Sequence, residues 1–422
     1  MKQQSGLRVT ALVGTVGFLA LGGVSAAHCQ AIAVAVPIQG NPVAPTDMDR
    51  TQIRAGARAL GMGGTDLIGN DVSYAAYNPA SIARTGSFST STTVVGRSSN
   101  IHVDKIKDLS NGVKDLGNQF NSSDNSLAGV RDAVGKVYNF ATNAGASDTN
   151  VTPASLSANL APLTGISLGK FGIVGYGSLI AQINLQPQAV AIAGIAPPAG
   201  RLSVGYGVLG LSNIAIPFAL PIKVGTIGFS PRLTQASYAG AGFLADEMDT
   251  QYGSDANGVP NGSISGATYK EVHQQKFDLD AGFTSIPDPI YHIQGAVVIH
   301  NLLSPTYHLP VVPNGTSIGI QNPPSNFDFQ MKPEIDLGAS RTHQGLSLAA
   351  ELHNLGNVNG GKRSVHLGAE YGIGKMLFLR GGYDQSRFVV GIGIALGGVR
   401  LDIATGSKPQ EQAALSLTVG GR

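Results

Sequence analysis

The sequence predicts an all-β fold, a closed antiparallel transmembrane β-barrel of about 14 strands, from three observations. Segments of the C-terminal half alternate between apolar residues and polar or small ones, the period-two pattern of strands whose two faces meet different environments. Only 13% of the 422 residues are charged and 57 are glycine, whereas average proteins carry about 25% charged residues and about 7% glycine. A candidate export signal precedes these segments, and no long apolar helix pattern follows it.

Residues 1–26 are interpreted as a signal peptide. Lys2 and Arg8 provide the positive start, an apolar stretch follows, and small residues at Ala26 and Ala27 offer a cleavage site. The alternative is a membrane anchor, but the uninterrupted apolar stretch is shorter than the ~20 residues of a spanning helix. We therefore expect cleavage near Ala26 or Ala27 and export of the remaining chain.

Four further regions follow the leader. The predicted organisation is a linker at residues 27–50, a compact Gly/Ala-rich segment that resembles a hatch or plug at 51–85, and a barrel at 86–422 with a helical insertion at about 101–146. Apolar residues of the insertion recur every three or four positions, which is typical of amphipathic helices. From residue 151 onward this helical spacing stops and strand patterns dominate.

The region near the C-terminus carries the clearest alternation. Between Phe388 and Leu396, every second residue is a large apolar one, and the residues between them are mostly glycine or alanine. Similar runs occupy 277–283, 364–371, 377–384 and 399–403, separated by short breaks, as in an up-and-down meander. Such a meander exposes a continuous apolar face, which lipid covers in a closed barrel. A secreted soluble all-β binding protein, with its polar face toward water, is the alternative.

The polar register of these strands predicts the lining of the barrel lumen, because a charge on the lipid face would cost ~2–4 kcal/mol at mid-membrane. The lumen-facing candidates are Glu351, His353, His366, Glu370, Arg380, Asp384, Arg400 and Asp402, with Glu334 and Asp336 on the same register. We expect Arg380 and Arg400 to pair with Glu370, Asp384 or Asp402. In a hydrated lumen each such pair would contribute only ~0–1 kcal/mol.

Motifs for catalysis or cofactor binding have little support. Gly205–Gly210 matches G-x-G-x-x-G, but Pro217 and the lack of helical spacing after it favour glycines of a strand over a dinucleotide site. The nine histidines lack metal-ligand spacing, and His353 and His366 are interpreted as lumen residues that can face each other across neighbouring strands. We therefore predict no enzyme activity, no cofactor and no metal site.

Charge and cysteine content exclude further classes. Cys29 is the only cysteine, so an internal disulfide or a cysteine-rich metal site is impossible. Loss of Lys2 and Arg8 with the leader reduces the 28 basic residues to the number of acidic ones, 26. A chain with no net charge lacks the field that attracts nucleic acid.

The predicted hatch segment carries a family resemblance. The run from Gly56 to Gly64, followed by Asn70-Asp71 and Tyr77-Asn78-Pro79-Ala80, resembles the start of the FadL-like outer-membrane superfamily, which includes long-chain fatty-acid transporters. The stretches 277–283, 297–305, 366–371 and 380–383 add to it. Within the superfamily the chain looks closest to the TraF-like (conjugal transfer) and PorV-like branches.

The resemblance implies a location and two functions. In the fatty-acid transporters the segment that resembles Asn78, Pro79 and Ala80 plugs the barrel as a hatch. Pro79 suits this role because it restricts its own backbone and that of Asn78. We therefore expect a bacterial outer-membrane protein in contact with lipid. It would either transport hydrophobic small molecules passively through a hatch-plugged barrel or serve as a structural or docking component of a conjugation or secretion system in the envelope.

Overall fold

The computed structural model describes residues 56–99, 154–188, 201–246, 263–268, 271–310, 326–385, 387–406 and 410–420. The predicted signal peptide, linker and helical insertion lie outside the described residues, as do the first five residues of the predicted hatch. No helix in the described ranges has the length and apolar character needed to cross a membrane.

The described helices are short and precede the strands. They are α1 (Ala57–Gly61), α2 (Val72–Ala75) and the 3₁₀-helix η1 (Pro79–Arg84). The described strands are β1 (Phe88–Ser99), β2 (Ala154–Leu168), β3 (Phe171–Gln188), β4 (Arg201–Ala215), β5 (Phe218–Ile222), β6 (Gly225–Asp246), β7 (Ser263–Thr268), β8 (Val272–Ser285), β9 (Ile293–His300), β10 (Thr306–Pro310), β11 (Asn326–Gln330), β12 (Glu334–His343), β13 (Leu346–His353), β14 (Ser364–Ile373), β15 (Leu377–Asp384), β16 (Arg387–Leu396), β17 (Val399–Gly406) and β18 (Gln410–Gly420).

Fourteen of these described strands form one closed antiparallel ring. Its order is β1, β2, β3, β4, β6, β8, β9 and then β12 to β18, and β18 pairs with β1. The short strands β5 and β7 add to β6, and β10 pairs with β11 in a separate hairpin. The ring confirms the predicted closed barrel of about 14 strands. Because no strand edge is left open, every strand of the ring has a hydrogen-bonding neighbour on both sides.

The two ends of the barrel differ in the length of their connections. At one end, turns of two or three residues at 169–170, 344–345, 374–376 and 397–398 join neighbouring strands. Gly397 and Gly398 form such a turn with φ of 57° and 89°, a conformation that suits glycine in tight hairpins. The longest connections, such as 301–333 between β9 and β12, occur at the other end, beside two short ones at 385–386 and 407–409. In outer-membrane barrels the short turns face the periplasm, so we name the two ends the short-turn end and the long-loop end.

The outer face of the barrel is apolar. On β16, for example, Phe388, Val390, Ile392, Ile394 and Leu396 are 41% to 73% exposed. Neighbouring strands continue this surface with large aliphatic residues, and no other described element covers it. A closed sheet with an apolar exterior is suited to lipid and disfavours a soluble protein. The chain is therefore a β-barrel of the bacterial outer membrane. The Gly205–Gly210 motif lies within β4, so no helix begins there to hold a dinucleotide.

Residues 56–85, here called the inner segment, cross the interior of the ring. Helix α1 packs against β1 and β15–β18, α2 against β1–β3, and η1 against β3, β5, β6 and β8. The segment therefore contacts strands on opposite sides of the barrel. Most of its residues are buried, so at its level the chain itself occupies most of the lumen.

Candidate functional site

Glycines of the barrel wall make room for the inner segment. A side-chain Cβ at Gly391 would lie 3.0 Å from the Cα of Gly61, a tighter contact than nine in ten Cβ atoms make. At Gly368 and Gly382 a Cβ would overlap the backbone at Met62. The wall and the inner segment therefore meet backbone to backbone, which only glycine permits. The high glycine content partly reflects this fit.

The Asn78-Pro79-Ala80 motif anchors the second half of the inner segment. The Asn78 side chain accepts a hydrogen bond from the Ala80 amide at 3.0 Å and so caps η1, while Pro79 occupies its first position. The side-chain amide nitrogen of Asn78 donates to the Leu67 carbonyl at 2.6 Å and to Thr284 Oγ1 on β8 at 3.0 Å. Asn78 is fully buried. One side chain thus connects the start of η1 to Leu67, earlier in the inner segment, and to the barrel wall at β8.

A cluster of charges ties the start of the inner segment to β14–β17. Glu370 accepts from Arg58 at 2.7 Å and 3.0 Å, from Arg380 at 2.6 Å and from Arg400 at 3.0 Å. Arg380 also pairs with Asp402 at 2.8 Å. Glu370 is therefore shared by three guanidinium groups, one of which belongs to α1.

This cluster corrects two expectations about the lumen. Arg380 is fully buried and the Glu370 side chain is only 6% exposed, so they form a buried ion pair. The ~0–1 kcal/mol expected of a hydrated pair does not apply to it. Asp384, expected as a possible partner of Arg380 and Arg400, instead lies 3.3 Å from His366 Nδ1 and 3.5 Å from Arg387.

A second polar cluster surrounds His353. Its Nε2 lies 2.8 Å from Glu351 Oε2, and its Nδ1 lies 2.9 Å from the Tyr77 hydroxyl, which also hydrogen-bonds Asp336. Burial raises the pKa of Tyr77 well above its usual value, and the Asp336 charge adds to the effect. The phenol therefore keeps its proton as the donor to Asp336. The His366 ring lies 4.3 Å from the His353 ring between centroids.

Glu351 joins this cluster to the middle of the inner segment. Its two carboxylate oxygens accept the backbone N–H groups of Asp66 at 2.9 Å and Leu67 at 3.1 Å. The Asp66 carboxylate itself lies 3.9 Å from His353 Nε2. All of these groups are buried, which makes a carboxylate with two amide donors a strong attachment point.

The structure places every predicted lumen residue on the inward face, and groups most of them. The buried set comprises Glu334, Asp336, Glu351, His353, His366, Glu370, Arg380, Asp384 and Asp402, and Arg400 is partly buried. The sequence reading missed the Arg232 cluster, in which this guanidinium pairs with Asp278 at 2.6 Å and Asp280 at 2.9 Å. The alternation of the two aspartates with Leu279 could have indicated that both face the lumen. The sequence did not predict the position of Asp66 because the inner segment has no periodicity.

A cavity lies beside the inner segment toward the short-turn end. Its volume is about 240 Å³, and the wall side is formed by residues that flank the 344–345 turn. The polar residues that line it are Arg58, Thr65, Asn70, Tyr74 and Arg84 of the inner segment and Ser340, Thr342 and Ser347 of the wall. Arg84 donates to the neutral Gln294 at 2.6 Å. The inner segment thus blocks the lumen but leaves a polar space next to it.

A different lining occupies the middle of β3, β4 and β6. Here buried apolar side chains of the three strands pack against buried residues of the β10–β11 hairpin. The cluster consists of Ile180, Leu209, Leu211, Ala236, Tyr238, Tyr307, Leu309, Phe329 and Met331. Because lumen faces of water-filled barrels are polar, this apolar interior surface is a feature that the alternation rule did not predict.

Comparison with known proteins gives one family match. Residues 75–393 match the family described as "F plasmid transfer operon, TraF, protein". No curated protein matches the chain.

Solved structures with similar architecture are distant in sequence. The chain is similar to the toluene transporter TbuX of Ralstonia pickettii, with 15% identity over 87% of this chain and 98% of that one and a TM-score of 0.45. The toluene transporter TodX of Pseudomonas putida has 12% identity over 86% and 96%, with a TM-score of 0.41. The translocator domain of the autotransporter NalP from Neisseria meningitidis has 7% identity over 79% and 87%, with a TM-score of 0.29.

Proposed function

This chain belongs to the family of F plasmid transfer operon TraF proteins, and from that premise and its lumen we propose that it is a passive outer-membrane channel for small hydrophobic molecules, with the inner segment as its hatch. The family match agrees with the predicted TraF-like resemblance. The proposed function is non-catalytic and needs no cofactor.

The observation that carries the proposal is the division of the lumen along its axis. On the long-loop side of the inner segment, β3, β4 and β6 carry an apolar inner face around Leu209 and Tyr238 that the β10–β11 hairpin covers. An apolar solute that displaced the hairpin would bind there because burial of apolar area is favourable. The inner segment then closes the lumen, and the cavity of about 240 Å³ lies on its other side. Passage would require the inner segment to move, since its side chains fill the space between the two regions.

A reversible tether between the inner segment and the wall tests the hatch. A Cβ at Gly61 would lie 3.5 Å from the Cβ of Ala404 on β17 and 3.1 Å from the Cα of Gly391. The first distance is within the Cβ separation of disulfides, about 3.5–4.5 Å, and the second is a tight contact that the Gly61→Cys single variant reproduces. The Gly61→Cys/Ala404→Cys variant, made in a Cys29→Ser background, should therefore form a disulfide under oxidation. Each single variant is the matched control.

Transport is measured as uptake of an apolar fluorescent probe across membranes with a lipopolysaccharide outer leaflet, through which such probes diffuse slowly. We expect the oxidised variant to lose the uptake above that of protein-free membranes, and reduction to restore it. Equal uptake in the oxidised and reduced forms would exclude the hatch, and uptake no faster than in protein-free membranes would exclude transport.

A docking role in a transfer machine is the second candidate, and the family description favours it. The test compares two variants in donor cells that carry a conjugative plasmid. If docking is the function, deletion of residues 101–146 should lower transfer frequency while the oxidised tether leaves it unchanged. A transport role predicts that the tether abolishes probe uptake and that neither variant changes transfer frequency.

A further inference from the structure

Three potential metal ligands converge where the inner segment meets β13. Asp66 comes from the inner segment, and Glu351 and His353 come from the inward face of the strand. Each offers one ligand atom, and these atoms lie within 4.8 Å of one another. All three residues are buried. One imidazole and two carboxylates form a donor set that suits zinc or a similar transition metal, whereas calcium and magnesium prefer oxygen ligands alone.

The surrounding hydrogen bonds orient two of these ligands. The Tyr77 hydroxyl lies 2.9 Å from Nδ1 of His353, so the other nitrogen, Nε2, is the one directed at the two carboxylates. The backbone N–H groups of Asp66 and Leu67 fix the Glu351 carboxylate at 2.9 Å and 3.1 Å. Metal-bound histidines and carboxylates are usually held by outer hydrogen bonds of this kind.

The formal charge of the three ligands also favours a cation. With a neutral imidazole, the three ligands carry the two negative charges of Asp66 and Glu351. With a protonated imidazole they would still carry a net charge of one negative unit. Asp336 lies beyond Tyr77 and adds a further negative charge, next to His300 Nε2 at 3.5 Å. Excess charge of one sign is costly in a buried site, and one divalent cation would balance the two carboxylates.

A route for a cation leads from the cavity to this position. The inward residues of β13 run in the order Ser347, Ala349, Glu351 and His353, and the first two line the cavity of about 240 Å³. Thr65, the residue before Asp66, lines it as well. The cavity therefore ends one inward position short of Glu351, on the short-turn side.

We propose that Asp66, Glu351 and His353 bind one zinc ion that latches the inner segment to the barrel wall. Three protein ligands leave a fourth position for water, as in zinc sites that remain accessible. The site does not depend on transport, because a metal link between the inner segment and β13 stabilises that contact whether or not a solute passes.

Zinc titration of the refolded barrel tests the proposal. The full mature chain, with Cys29→Ser to remove the thiol, is treated with a chelator and titrated with zinc chloride or calcium chloride by calorimetry and thermal unfolding. We expect about one zinc per chain and a higher unfolding temperature with zinc, and neither effect with calcium.

Variants connect the binding to the three residues. His353→Gln and Asp66→Asn should each lose most of the zinc affinity, and Tyr77→Phe, which keeps all three ligands, should weaken it about 10–100-fold. His308→Gln is the control, since His308 is an exposed histidine beside Asp328 on β10–β11 and its loss should leave the affinity unchanged.

Heat-modifiable gel mobility shows which variants have folded, and Tyr77→Phe keeps the test valid if a ligand variant does not fold. Zinc binding by folded His353→Gln at wild-type affinity would overturn the proposal. So would wild-type protein that binds no zinc, or a Tyr77→Phe affinity equal to that of wild type.

Discussion

The inner segment meets two parts of the barrel wall that hold it by different physical means. Toward β12–β17, here called the polar arc, it is held by Arg58 on Glu370 and by Asp66 and Leu67 on Glu351. Toward β2–β5, here called the apolar arc, it is held by packing. The packed cluster comprises Val72, Ala75, Ala76, Ile82, Leu163, Val174, Tyr176, Ala215 and Ala219.

This difference indicates how the inner segment would leave its place. Hydrogen bonds and ion pairs are directional, so a small displacement breaks them, but water that enters can replace each partner. Small apolar side chains tolerate sliding but lose free energy when water reaches them. We therefore expect the polar arc to be the side that opens, with the apolar arc as the side about which the inner segment pivots.

Removal of the shared acid in the polar arc should have the largest effect. Glu370→Gln leaves the guanidinium groups of Arg58, Arg380 and Arg400 without their common charged partner, and loss of one member of a buried ion pair costs about 3–5 kcal/mol. Urea unfolding in lipid vesicles should show this loss. Glu271→Gln, at an exposed acid before β8, should show almost none.

A double variant sharpens this result. Addition of Arg58→Gln to Glu370→Gln removes one of the stranded charges and should recover part of the lost free energy of unfolding. If the two losses simply add, Arg58 and Glu370 are not coupled, and the polar arc does not hold the inner segment through this pair.

The apolar arc should respond to a cavity instead. Ile82 of η1 is fully buried among Val174 and Tyr176, and Ile82→Ala should lower the free energy of unfolding by about 3 kcal/mol, within the range for truncation of buried aliphatic residues. Because no charge is exposed, this loss should not depend on salt. A loss that changes strongly with ionic strength would contradict the assignment of this side to packing.

The same contrast explains what the sequence predicts and what it does not. On β17 the charged Arg400 and Asp402 alternate with Leu401 and Ile403, so period two separates lumen from lipid and gives both strand and register. On β3 both faces are apolar, as outward Ile173 and inward Val174 illustrate. Alternation is then absent, and the sequence cannot assign the inner face.

The site was only partly predictable for a related reason. The wall residues Glu351 and His353 follow from strand register, but their partners Asp66 and Tyr77 lie in a segment of short helices and turns. No periodicity places such residues, because their positions depend on how the whole segment fits between the walls. The backbone contacts at Gly368 and Gly382 are likewise tertiary, so the glycine content alone could not locate them.

The outer faces of the two arcs should be alike, although their inner faces differ. Leu367 on β14 and Leu179 on β3 lie in the interior of their strands, 47% and 37% exposed toward lipid. Leu367→Arg and Leu179→Arg should each cost about 2–4 kcal/mol near mid-membrane, measured by refolding into vesicles. Tolerance of arginine at either position would mean that this strand does not face lipid in the assigned register.

The smallest change probes the fit between the inner segment and the polar arc. Gly381 and Gly382 are neighbours on β15, yet a Cβ at Gly381 meets nothing within 4 Å. A Cβ at Gly382 would overlap the backbone of Met62 and Gly63 and would lie 2.6 Å from the Leu367 carbonyl oxygen on β14. Gly382→Ala should therefore displace the inner segment at a cost of about 1–3 kcal/mol, as in other overpacked sites, and Gly381→Ala should cost much less.

A cysteine placed at the buried Ala59 position, in the Cys29→Ser background, reports the displacement by its rate of thiol labelling. Faster labelling in Gly382→Ala alone, with the heat-modifiable mobility of the barrel retained, would show that the inner segment moves independently of the wall. Equal labelling in both variants would mean that the segment and the wall are one rigid unit, and the polar arc could not then be the side that opens.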